Sequence, residues 1–234
     1  MASAKDILVK PIKSSAANAL VKKVHYSGKV VQNSSLHFGV FLNGKLEGVM
    51  SFGSPMDKRK VLPLVKDTKW NGMLELNRMA FSDVLPRNSE SRALSIAFRL
   101  IKKHYPHIEW ILSFSDGTQC GDGTIYRASG FILTQINPNK TLLEFPEGTR
   151  IANMTLTANW DNSSVASLCQ RLGVPVKARS IGEWRALGGK PLKGFQLRYI
   201  YFLNPKAKDR LTCDILPFSE IERMGAGMYK GIKK

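Results

Sequence analysis

Apolar residues recur along this chain at two spacings, one of strands and one of helices. Residues 6–13 (DILVKPIK) predict a first strand. After a Ser14 cap, Ala17, Leu20, Val21 and Val24 fall on one helical stripe that ends at His25-Tyr26-Ser27-Gly28. Residues 36–42 and 46–52 flank Asn43-Gly44, the pair favoured in a two-residue hairpin turn. Residues 54–72 lose this order and predict a polar, basic insertion. The pattern returns in strength from Met73 to Phe131. Leu74, Leu76 and Met79–Phe81 predict a strand, and a turn follows. Asn88 or Ser89 is placed to cap a helix whose apolar face is Leu94, Phe98 and Ile101, with Glu90 at its positive end. Lys102 and Lys103 occupy its last turn and Pro106 ends it. Residues 108–114 then predict a buried strand. Strand, loop, helix, strand is a βαβ unit, so its two strands should be parallel neighbours. Beyond Phe131 the pattern loosens into strands and loops over 137–160. A short helix is predicted over 163–172 and a clear strand over 195–203.

The βαβ reading yields two candidate sites. The helix start near Ser89, with Arg78 and Arg87 close by, offers free backbone N–H groups to an anion, although an ordinary capped helix reads the same way. Asp116 falls just past the end of its strand, where ligands of open α/β sheets bind, although a turn residue also fits there. Gly117, Gly121 and Gly123 permit tight backbone near a ligand, so Asp116 and Tyr126 can face one pocket as base and acid. His25-Tyr26 supplies a second titratable pair; a lone pair of this kind more often packs than reacts. The stretch DGTQCGDGTIYR fails as a calcium loop, because its third, fifth and twelfth positions are Thr118, Cys120 and Arg127. P-loop, nucleophile-elbow and zinc-ligand spacings are absent from the sequence.

Charge narrows the partners. The 35 Lys and Arg against 18 Asp and Glu give a formal charge of +17, a field that favours a polyanion, nucleic acid first and an anionic membrane second. Residues 177–234 hold 13 Lys and Arg against 5 Asp and Glu, with Trp184, Tyr199, Tyr201 and Tyr229 interleaved, which reads as a nucleic-acid surface. No apolar run approaches a membrane span, and the N-terminus lacks the apolar region of a secretory signal. Three widely spaced cysteines suit a reducing, intracellular setting.

Five segments carry a resemblance: HYSGK from His25, FGVFLNGKLEGVMSFG from Phe38, LELNRMAF from Leu74, PRNSESRAL from Pro86, and SFSDGTQCGDGTIYRASGF from Ser113. In that order they resemble the Mom DNA-modification proteins of Mu-like phages, over residues 7 to 133. The order of elements resembles the GNAT-like (acyl-CoA N-acyltransferase) fold. The resemblance implies an α+β fold, a mixed β-sheet flanked by helices. The expected domain spans 1–205, with insertions at 54–72 and 134–190 and a basic C-terminal extension over 206–234. It implies an enzyme of the host cytoplasm that converts adenine in double-stranded DNA to N6-carbamoylmethyladenine, protecting phage DNA from restriction. An ordinary GNAT N-acyltransferase acting on a protein or small amine is the alternative.

The family's proposed active site falls on His25, Tyr26, Arg78, Asp116 and Tyr126. Arg78, Asn88, Ser89 and Ser91 fall where GNAT enzymes hold the donor's pyrophosphate, although PRNSES departs from the usual glycine-rich loop. Implied donors are acetyl-CoA or a glycine-derived donor such as an aminoacyl-tRNA, the second matching the product's atoms better. Iron is a further candidate, with His25, Tyr26 and Asp116 as candidate ligands. The partners expected are double-stranded DNA, tRNA as donor carrier and a second copy in a homodimer, with no membrane. Asp116 is expected to act as base or to orient a metal. Tyr126 is expected to donate a proton or to position a flipped base, because a carboxylate accepts a proton at neutral pH more readily than a phenol.

Overall fold

The structure is a computed structural model that describes residues 2–158, 160–229 and 232–233, the last two and residue 229 by backbone alone. The chain divides into two compact units, residues 1–136 with 197–234, and residues 137–196.

The first unit is built on a seven-stranded sheet. Its strands are β1 (Leu8–Pro11), β2 (Ser34–Leu42), β3 (Lys45–Gly53), β4 (Met73–Phe81), β5 (Trp110–Asp116), β6 (Ile132–Pro138) and β10 (Phe195–Phe202). Their order is β1-β2-β3-β4-β5-β10-β6. The β1 to β4 pairs are antiparallel, and Asn43 and Gly44 turn the β2–β3 hairpin with φ of 49° and 78°, both positive as that turn requires. β4 and β5 are parallel, as the βαβ pattern predicts, but they pair only from Met73↔Trp110 to Glu75↔Leu112. Past that point the strands share no further register. On its other edge β4 carries a bulge at Asn77, because Leu76 and Arg78 face the adjacent residues Phe52 and Ser51. Helices α1 (Ser14–Val24) and α3 (Ser89–His104) pack on this sheet. Ala17 and Val21 bury against Val49 and Ala80, while α3 buries Ala93, Leu94, Ala97, Phe98 and Ile101. This is the mixed β-sheet flanked by helices that the resemblance implied.

Several expected boundaries move. The first strand shrinks to Leu8–Pro11, preceded by a 3₁₀ turn over Ala4–Asp6 that Ser3 caps. Ser14 starts α1 but Lys13 occupies the cap position. β5 runs two residues further than the apolar run indicated, so Asp116 is the strand's last residue rather than the next one. Residues 54–72 are not a polar insertion outside the core. They contain helix α2 (Lys58–Val61), Val65 is fully buried beside Trp110, and Thr68 Oγ1 accepts from Trp110 Nε1 at 3.0 Å. The polar spacing hid this, since the apolar residues that pack inward, Val61, Leu62, Leu64 and Val65, fall in one short run.

The C-terminal segment was expected to lie outside the sheet domain, and its described residues are built into it. Leu211 and Leu216 bridge to Val65 and Leu133, Ile221 on α8 (Ser219–Arg223) is buried, and Asp122 N–H donates to the Met228 carbonyl at 3.1 Å. Short apolar contacts between polar turns leave no periodic trace, which is why this segment read as a tail.

The second unit has its own sheet and core. Strands β7 (Leu142–Glu144), β8 (Arg150–Ala152) and β9 (Lys190–Pro191) form an antiparallel sheet in the order β8-β7-β9. Helices α5 (Asn153–Ala158), α6 (Ser163–Leu172) and α7 (Ile181–Ala186) bury Leu156, Leu168 and Trp184 on it. The compact unit covers 137–196, slightly later than the expected insertion at 134–190, because 132–136 still belong to β6. Trp184 and Tyr199, expected on a nucleic-acid surface, are both fully buried, and Tyr201 stacks on Phe98 at 4.3 Å. The Trp184 and Tyr199 rings fill cores and are not the exposed stacking platforms the charge pattern suggested, while Tyr201 is half-buried; the Tyr229 side chain lies outside the described residues. Among the described residues no helix is long and apolar enough to cross a membrane.

Candidate active site

The separation of β4 from β5 opens a cavity of about 680 Å³. Leu76–Met79 line one wall, beyond the last β4–β5 pair, and Phe114–Asp116 line the other. The β4–α3 loop, the glycine-rich turn after β5 and α4 (Thr124–Ala128) close the rest. The turn that ends α1 adds His25 and Tyr26. The cavity therefore collects His25, Tyr26, Arg78, Asn88, Ser91, Asp116 and Tyr126. Ser89 is not among its lining. Its side chain is fully buried, with Oγ lacking a partner among the described residues. Asn88 sits at the helix cap position with φ 71°, but its side chain makes no capping bond. The Ser89 N–H donates to the Pro86 carbonyl at 3.1 Å, and the N–H groups that follow it, beside Arg87, have no side-chain cap. A second cavity of about 720 Å³ meets the first at Arg87, Asn88 and Ser91 and is lined also by Lys5, Arg92 and Arg99.

Asp116 is heavily hydrogen-bonded. Its Oδ1 accepts the Thr118 N–H at 2.9 Å and the Thr118 hydroxyl. Oδ2 accepts Gln119 Nε2 at 3.1 Å and the Tyr26 hydroxyl at 3.2 Å. Its backbone carbonyl takes the N–H groups of Cys120 and Gly121. A carboxylate offers about four lone-pair positions, so this one is fully engaged. Tyr26, half exposed at 50%, holds its phenol proton, because the surrounding protein and then the Asp116 charge push its pKa far above the ordinary value. Burial pushes Tyr126 up to about 12; its ring lies 5.2 Å from those of Phe131 and Tyr199. Burial, then Asp116, raises the Cys120 thiol.

Arg78 anchors the far wall. Nε donates to the Lys29 carbonyl at 2.9 Å and Nη1 to the Asn77 carbonyl at 2.8 Å, tying β4 to the His25–Lys29 turn. Burial and the Arg78 charge lower His25 to about 4, against a weaker opposing pull from Asp116. The unfolded chain binds a proton on this histidine near pH 6.5. The folded chain refuses it down to about 4. His25 therefore costs stability as pH falls through that window, and its effect levels off below it. An NMR titration should place the His25 midpoint near 4, and Arg78→Ala should raise it; a wild-type midpoint near 6.5 would contradict this electrostatic picture.

Thr118, Gln119, Cys120, Asp122 and Met228 were missed in the sequence. Thr118 was findable, because an Asp with Thr two residues on is the spacing of an Asx turn. Asp122 is buried and pairs with Arg127 at 3.3 Å, while its carbonyl accepts the Tyr199 hydroxyl. These contacts fix the turn before α4. Met228 lies over one hundred positions away and carries no local signal.

An iron centre does not fit this donor set. Asp116 is filled by Thr118, Gln119 and Tyr26, and no cluster of three His, Cys, Asp or Glu able to hold a metal occurs among the described residues.

Solved N-acetyltransferases overlap the chain loosely. The spermidine/spermine N-acetyltransferase of Vibrio cholerae covers 88% of this chain and 98% of its own at 6% identity and a TM-score of 0.46. The IAA acetyltransferase of Bacillus cereus covers 84% and 99% at 11% identity and a TM-score of 0.45. The sequence likeness is far stronger elsewhere. The methylcarbamoylase Mom of Escherichia phage Mu is 34% identical over 209 residues, 89% of this chain and 80% of that protein. A family model described as the Mom protein family matches residues 6–220, so it takes in both walls of the cavity, and the chain belongs to that family.

Proposed function

We propose that this chain is a DNA-modifying transferase that carries a carbamoylmethyl group to N6 of adenine in duplex DNA, giving N6-carbamoylmethyladenine and protecting phage DNA from restriction in the host cytoplasm. The observation that carries the reading is the Tyr26–Asp116 bond in the cavity of a chain 34% identical over 209 residues to a methylcarbamoylase. Adenine N6 is buried in the duplex, so the base is flipped out, at a cost of a few kcal/mol. Tyr26, half exposed on the rim, offers a ring for it to stack against.

As the new C–N bond forms to the methylene carbon of the donor, the bond from that carbon to the donor's leaving group breaks, the leaving group departs with the bonding pair, and N6 must lose a proton. Tyr26 Oη takes it while its own proton passes to Asp116 Oδ2. The phenol thus relays to a carboxylate that has no free position of its own, which refines the expectation that Asp116 alone is the base. Tyr126, protonated and wedged between Phe131 and Tyr199, positions the base. The donor's anionic part sits at the start of α3, where uncapped N–H groups and Arg87 face the cavity junction with Arg92 and Arg99. A glycine-derived donor carried on tRNA brings such an anion in its phosphates and holds the methylene carbon the product needs, whereas a simple acyl-CoA thioester would give an N6-amide. Arg78 Nη2, unbonded among the described residues, completes that side.

Two measurements bear on this reading. DNA from cells expressing the chain should resist restriction enzymes with adenine in their sites, whereas an acyltransferase acting on protein would leave it sensitive. Duplex DNA affinity should fall at least about a hundredfold between roughly 50 and 200 mM salt, as phosphate contacts release counterions. A flat salt response would contradict DNA as the partner of the +17 charge.

A further inference from the structure

The proton on His25 is placed by its neighbours. His25 closes α1, its N–H bonding to the Val21 carbonyl at 3.0 Å. Its carbonyl accepts the Gly28 N–H at 2.8 Å, and Gly28, at φ 59°, completes a tight turn. Inside that turn the Ser27 N–H points at His25 Nδ1, 3.2 Å away. A backbone N–H can only donate, so Nδ1 is the acceptor. The Ser27 hydroxyl lies 2.8 Å from the same nitrogen and itself accepts the Lys29 N–H at 3.3 Å. Its own hydrogen is therefore free to go to Nδ1. Lys29 is held in turn by Arg78.

We infer that Ser27 is a positioning residue that fixes His25 as the neutral Nε2–H tautomer, making His25 a hydrogen-bond donor to substrate and not a base. In that tautomer the ring's one available lone pair is on Nδ1, and it is occupied by two donors from the turn. The ring lines the cavity 4.3 Å from Tyr26, and Nε2 has no protein partner among the described residues. Its N–H is left for an acceptor lone pair on the substrate, either a carbonyl oxygen or a ring nitrogen. The low affinity of this histidine for a second proton keeps the arrangement intact at neutral pH. The catalytic meaning rests on the proposed transferase reading; the tautomer does not.

The test is long-range ¹H–¹⁵N NMR on the full chain with labelled histidine, the signal assigned by its loss in His25→Gln. Nδ1 should appear unprotonated and Nε2 protonated. Ser27→Ala, which keeps only the longer backbone bond, should bring up a measurable Nδ1–H population and lower turnover about tenfold, and Ser27→Thr should restore both. His25→Gln keeps an N–H donor and should retain at least about tenfold more activity than His25→Ala. A protonated Nδ1 in the wild type would overturn the assignment, as would a Ser27→Ala chain with unchanged tautomer and turnover. If the wild type modifies no DNA, the transferase reading fails while the NMR result still decides the tautomer.

Discussion

Asp116→Asn is expected to lower adenine modification by about a thousandfold, within the range that loss of a proton acceptor produces. The substitution keeps the shape. Its remaining oxygen can still accept the Thr118 N–H and hydroxyl, so the turn after β5 should stand. What it removes is the carboxylate oxygen that receives the Tyr26 hydroxyl and Gln119 Nε2, and the Gln119 amide can turn to present its oxygen instead. Tyr26→Phe removes the other half of the relay and should cost a similar factor. Because the two act as one unit, the double variant should be little worse than either single variant. Thermal stability and DNA affinity should stay near wild type in all three. Loss of activity only in proportion to loss of folded protein would assign both residues a purely structural role.

Gly123→Ala is expected to be strongly damaging for a single added methyl. Gly123 has φ 81°, and a Cβ there would meet Tyr199 Cε2, Cζ and Oη at 2.5, 2.6 and 2.7 Å. The ring has nowhere to retreat, since it is fully buried and its hydroxyl is bonded to the Asp122 carbonyl. Backbone strain and overpacking together should cost about 3 kcal/mol. For a chain of this size that is a fall in Tm of roughly 6–12 °C. Activity should suffer beyond this, because Tyr126 packs on the displaced ring. Gly121→Ala is the control: its Cβ would meet only the Met228 carbonyl at 3.5 Å, an ordinary contact, and its Tm should barely move. Equal effects at the two glycines would contradict the packing account.

Much of this architecture was legible because it depends on short-range pattern. The Asn43-Gly44 hairpin, the amphipathic α3 and the parallel β4–β5 pair each follow from spacing within a few residues. The site itself is not local. Tyr26 and Asp116 touch across ninety positions, and no periodicity links a helix C-terminus to the end of β5. Only the family resemblance grouped them. The shift of β5 to include Asp116 is a boundary effect, since Ser115 and Asp116 are polar residues in a strand whose apolar run has ended. Interleaved aromatics and cations suggested a nucleic-acid surface where Trp184 and Tyr199 in fact fill cores. Composition alone does not say which side of a short element faces in.

Nucleoside mass analysis of DNA from cells expressing the wild-type chain, beside cells expressing Asp116→Asn, tests the central claim most directly. The wild type should yield an adenine nucleoside carrying a carbamoylmethyl group on N6, and the variant, equally folded and equally abundant, should yield almost none. Unmodified adenine from the wild type, or full modification from a folded Asp116→Asn chain, would contradict the account.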